Sequence, residues 1–94
     1  MLQLNILEDF LKEAIKENAI ILDFTKNKYP GNWLYSKSNL KFNYIPVYSK
    51  KDLNVIKDIN NNIYVIGSNM NLKMVQAMNN NVNIKFLNYK QLKS

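Results

Sequence analysis

Cysteine, histidine and arginine are all missing from this 94-residue chain, and the three absences exclude more chemistry than any motif in it supplies. Without thiols or imidazoles the chain can build no disulfide, thiolate nucleophile, Ser-His-Asp arrangement or ordinary zinc site. The redox compartment stays open, because it is cysteine usage that would report it. All thirteen basic residues are lysines, so there is no planar guanidinium fork for bidentate recognition of guanine, phosphate or carboxylate, and no arginine finger.

Long apolar runs are missing too. None approaches the ~20 residues of a membrane span. The first ten residues already carry Glu8 and Asp9, unlike the basic-then-apolar signal peptide. The expectation is a soluble cytoplasmic protein with no membrane partner. Its length suits a single domain over residues 1–94, and 47% hydrophobic with 21% charged residues is ordinary for a packed core. Seventeen asparagines argue against a hyperthermophile. Together with the lysines, they also fit the codon bias of an AT-rich genome, as in a virus, phage or plasmid accessory protein.

Periodicity predicts the elements. Leu4, Leu7, Leu11, Ala14 and Ile15 recur at helical spacing, so residues 4 to about 18 read as an amphipathic helix, with Glu8–Lys12 and Glu13–Lys16 pairs along it. Ala19 to Phe24 is a near-continuous apolar run suited to a central strand. Tyr44 to Ser49 reads as a strand that Pro46 pushes to an edge. Ser49 and Asp52 open a helix with Leu53, Ile56 and Ile59 on its buried stripe. Ile63 to Ile66 is a strand, Ser68 or Asn69 caps a helix through about Asn79, and Val82 to Leu87 alternates as an outer strand should. Strand-helix-strand repetition predicts a small three-layer α/β domain with about four strands, parallel or mostly parallel. Residues 25–43 are the exception. A hairpin of Trp33–Tyr35 with Leu40–Tyr44 across them would make the sheet mixed.

Charge is concentrated in one place. Between Lys26 and Lys51 lie Lys26, Lys28, Lys37, Lys41, Lys50 and Lys51 with no acidic residue, a +6 that equals the net charge of the whole chain. The same segment holds Tyr29, Trp33, Tyr35, Phe42, Tyr44 and Tyr48. Lysines neutralise phosphates and aromatic faces stack unpaired bases, so Lys26, Lys28, Tyr29, Trp33, Tyr35, Lys37, Lys41, Lys50 and Lys51 form the candidate surface for nucleic acid or an acidic protein partner. Core closure by Trp33, Leu34, Phe42 and Tyr44, with the lysines merely solvated, is the plainer alternative. No cofactor and no catalytic residue is expected.

A second class places Mg²⁺-dependent phosphoryl transfer or hydrolysis at the strand C-terminal edge, with Asp23 and Asp52 as metal-ligating carboxylates among Thr25, Ser49, Ser68 and Asn69. The Asp23-Phe24-Thr25 triplet resembles the first motif of haloacid-dehalogenase-like phosphatases, but the second Asp two positions on and a later acidic pair are absent. The bland reading makes Asp52, Ser49 and Ser68 helix caps and Asp23 a loop hydrogen-bonder. Gly67-Ser68-Asn69 sits where phosphate loops sit, though one glycine also makes an ordinary turn and cap. Met70, Met74 and Met78, at i,i+4 spacing, read as core filler or an adaptable partner groove. Lys85 should discourage edge pairing, although a homodimer by strand addition stays open.

Overall fold

The computed structural model describes residues 4–26, 43–80 and 82–92. Helix α1 (Leu4–Lys16) buries Leu7, Leu11 and Ala14 on one stripe. It ends because Asn18 takes a left-handed φ of 54°, which lets the Asn18 N–H donate to the Ile15 carbonyl at 3.0 Å and the Ala19 N–H reach back to Ala14 at 2.9 Å. Asparagine tolerates that conformation better than other residues with a side chain, so it closes the helix where glycine usually would. The chain then enters β1 (Ile20–Asp23), all four residues of which are buried.

Strands β1, β2 (Asn43–Pro46), β3 (Ile63–Gly67) and β4 (Ile84–Asn88) form one sheet in the order β2-β1-β3-β4. Every pairing is parallel, with Leu22 opposite Ile45 on one side and Val65 on the other. The α/β expectation therefore holds in its all-parallel form among the described residues. The proposed hairpin falls on residues outside them, except Asn43 and Tyr44, which pair in parallel with β1. Pro46 ends β2 at the sheet edge, as its missing N–H requires, and Val47 resumes the ladder by donating to the Asp23 carbonyl at 2.8 Å.

Alternation along the strands feeds two cores. Ile21, Tyr64, Ile66 and Leu87 face α1 and a terminal 3₁₀ helix, η2 (Tyr89–Leu92), whose Leu92 is buried. Ile20, Leu22, Ile63 and Val65 face a 3₁₀ helix, η1 (Lys50–Ile56), and helix α2 (Asn69–Met78). The Ser49–Asp52 segment thus forms a 3₁₀ helix, with Leu53 and Ile56 buried as predicted and Ile59 half-buried beyond its end. The methionine series divides: Met74 and Met78 pack against the second core, while Met70 is 74% exposed. No helix among the described residues is long and apolar enough to cross a membrane.

A polar cluster ties α1 to the sheet. Lys85 on β4 reaches Glu13 at 2.5 Å and Glu17 at 3.4 Å and lies 5.5 Å from the Tyr64 ring centroid. The Tyr64 hydroxyl donates to Glu17. Lys85, expected to guard an edge, is therefore also part of an interlayer bond. Burial, then the bond to Glu17, pushes the Tyr64 phenol from 10.0 up to about 12. A phenol that holds its proton more tightly when folded contributes stability that is complete below its unfolded pKa and declines above it. Urea midpoints should therefore fall as pH rises from 10 towards 12, and Tyr64→Phe should flatten that decline. An equally steep decline in the variant would show that Tyr64 does not drive it.

Candidate site at the strand C-terminal edge

Strand order locates the site. The strand that follows β1 lies on one side of it, and the strand that follows β3 lies on the opposite side. In open parallel sheets such a reversal leaves a crevice beyond the carboxyl ends of the two strands. Here that crevice is a cleft of about 390 Å³. Phe24, Thr25 and Lys26 line it from the end of β1, and Gly67, Ser68 and Asn71 from the β3–α2 turn. Tyr89 closes it from beyond β4. A smaller groove of about 220 Å³ shares Phe24, Lys26 and Asn71 and extends past Tyr48 and Ser49 to Lys50.

The floor is fixed by Asp23, which is 3% exposed. Its Oδ1 accepts from the Thr25 N–H at 2.8 Å and the Thr25 hydroxyl at 2.6 Å. The Tyr44 hydroxyl donates to Oδ2. Burial and the adjacent Asp23 charge hold the Tyr44 phenol far above its ordinary range. This Asx turn bends the chain sharply enough that Lys26 adopts a φ of 56°, a conformation that costs a residue with a Cβ about 1 kcal/mol.

The opposite wall is a helix cap. Ser68 Oγ accepts from the Asn71 N–H at 3.3 Å, and Asn71 Oδ1 accepts from the Ser68 N–H at 2.8 Å and the Ser68 hydroxyl at 2.9 Å. Gly67 must remain glycine for steric reasons. A Cβ there would stand 2.6 Å from Asn71 Oδ1 and 3.1 Å from Phe24 Cβ, and Asn71 cannot retreat without breaking the cap.

Of the residues expected at a binding surface, Lys26 and Lys50 line the groove, and Lys51 is exposed on η1 beside it. Lys28, Tyr29, Trp33, Tyr35, Lys37 and Lys41 lie outside the described residues. Asp23 and Asp52, the carboxylates of the alternative metal reading, each already accept from protein donors, Asp23 from Thr25 and, across the sheet, Tyr44. Asp52 Oδ2 accepts from the Tyr48 N–H at 2.9 Å and the Ser49 N–H at 3.0 Å, and these two bonds hold its carboxyl below the usual range. Among the described residues no group of three or more Asp and Glu side chains is placed to hold a metal ion.

Sequence patterning marks neither Asn71 nor Tyr89 as a site residue, and it marks Phe24 only as the middle of the Asp23-Phe24-Thr25 triplet. The signal for Tyr89 was its place one residue past the end of β4, and that for Asn71 was the spacing from Ser68. No protein family matches the chain, and neither the curated proteins nor the solved structures include a similar one.

Proposed function

We propose that the protein is a non-catalytic nucleic-acid-binding module that uses the C-terminal edge of its sheet. The observation that carries this reading is that Lys26 and Lys50, from the two ends of the lysine-rich segment, line one groove with Phe24 and Tyr48. Tyr48 is 52% exposed, so a ring is open to solvent beside the ammonium groups. Phosphate contacts through lysines are tolerant of sequence, and base stacking on rings is equally so. Single strands, whose bases are free to stack, are the favoured class.

Affinity for a fluorescent single-stranded oligonucleotide should fall steeply with salt. The slope of log K against log salt is about −0.7 per phosphate neutralised. With four of the six lysines engaged, raising salt from about 50 to about 200 mM would weaken binding roughly 50-fold. Lys50→Glu with Lys51→Glu should flatten the slope by about 1.4. Salt-insensitive binding, or undiminished binding by that variant, overturns the reading. So does recovery of an acidic protein as the tight partner when no oligonucleotide binds.

A further inference from the structure

We propose that the cleft between the ends of β1 and β3 seats one nucleotide of the bound strand, with its phosphate on the Lys26 ammonium and its base against Phe24 and Tyr89. The assignment rests on the reading of this edge as a nucleic-acid surface and names the unit that the surface grips. Three observations support it. At about 390 Å³ the cleft lies at the small end of ligand sites, which run from about 300 to 1,000 Å³, and so suits a single nucleotide unit. Its ring-bearing walls come from different layers: Phe24 is rooted in the core beneath η1 and α2, Tyr89 in the core beneath α1. Both are half-buried, so each offers apolar surface without having to be ordered by the ligand.

Charge is the third observation. Among the described residues lining this cleft, Lys26 is the only cation and none is acidic. At the first turn of α2 the Ser68 and Asn71 N–H groups are already taken by each other's side chains, and this turn carries no cationic side chain in the cleft. The anion therefore falls to Lys26, which the Asx turn at Asp23 holds at the cleft rim. Gly67 leaves bare backbone on the facing wall, where any side chain would strike Asn71 and Phe24.

The test uses adenosine 5′-monophosphate, with adenosine and inorganic phosphate as controls, followed by amide NMR on the full chain and by displacement of a fluorescent oligodeoxyadenylate. The expected result is saturable shifts of the Thr25, Gly67 and Ser68 amides by the monophosphate, with a Kd on the order of 1 mM. The monophosphate should also displace the oligonucleotide. Lys26→Gly should weaken the monophosphate by about tenfold or more. Glycine adopts the φ of 56° freely, so that loss reports the ammonium and not the backbone. Lys26→Asn, which also tolerates this conformation, serves if the glycine variant folds poorly. Lys50→Glu with Lys51→Glu should weaken the oligonucleotide by a larger factor than the monophosphate, because the strand engages several lysines and the monophosphate only the phosphate site at Lys26.

Oligonucleotide binding with no cleft amide moved by the monophosphate overturns the assignment and leaves the nucleic-acid reading standing. Inorganic phosphate as effective as the monophosphate overturns it as well, since the base would then contribute nothing. Absence of oligonucleotide binding removes the broader reading and this inference with it.

Discussion

Asp23→Ala is expected to lose about 3–5 kcal/mol of folding stability, because it strips a buried acceptor from three donors at once. The Thr25 N–H and hydroxyl and the Tyr44 hydroxyl all converge on this carboxylate, and Asp23 and Thr25 are 3% and 8% exposed, so water cannot simply replace it. Each buried donor left without a partner costs about 1–3 kcal/mol. A chain of this length has roughly 5–14 kcal/mol in total, so the variant should melt some 15–25 °C lower. Asp23→Asn separates charge from shape: its oxygen can still accept from Thr25 while its amide turns the Tyr44 hydroxyl into an acceptor, and the loss should stay near 1–2 kcal/mol. Thermal and urea unfolding measure both. An alanine variant that loses under about 1 kcal/mol would mean that these donors find other partners, and that the floor of the cleft does not depend on Asp23.

The second large effect is expected at Asn79, 5% exposed at the end of α2. Its Nδ2 donates to the Ile56 carbonyl at 2.7 Å and the Ile59 carbonyl at 3.1 Å. One side-chain amide thus serves the carbonyls where η1 ends and fastens η1 to α2. Asn79→Ala should lose about 2–3 kcal/mol. Asn79→Asp is the sharper probe. At neutral pH it sets a carboxylate against two carbonyl oxygens, so the loss should exceed that of alanine. On acidification below the carboxyl's raised pKa the acid becomes a donor again, and stability should partly return. Urea midpoints from neutral pH down to about pH 4 would show the recovery. An aspartate variant with no such upturn would show that the amide is not needed as a donor there.

Asn79 and Asp23 differ in how readily their roles could be read beforehand. Asp23 at the end of an apolar strand, two residues before Thr25, was legible as a loop hydrogen-bonder, because an Asx turn is a local event. Its bond to Tyr44 was not, since it spans 21 positions and exists only because β1 and β2 pair in one particular register. Asn79 looked like a helix breaker in a run of asparagines. Its use depends on where η1 ends, some twenty residues earlier. Lys85 likewise announced an outer strand by alternation, but the acidic pair it meets, Glu13 in α1 and Glu17 just past its end, lies about seventy residues away. Ser68 and Asn71 could be anticipated as a cap, and the close approach that excludes a Cβ from Gly67 could not.

The amino-acid order by itself determined the amphipathic first helix, the apolar strands, the edge position forced by Pro46 and the α/β class. Each of these is a short-range consequence of side-chain period or backbone chemistry. It also determined that the segment from Lys26 to Lys51 carries a charge equal to the net charge of the whole chain. Tertiary structure alone decided that β1 stands between β2 and β3, and so that the reversal of strand order there opens a cleft at Phe24, Gly67 and Tyr89. The reason is physical: strand order is set by which buried faces fit together over long separations, and a periodic pattern records which face is buried without recording what it is buried against.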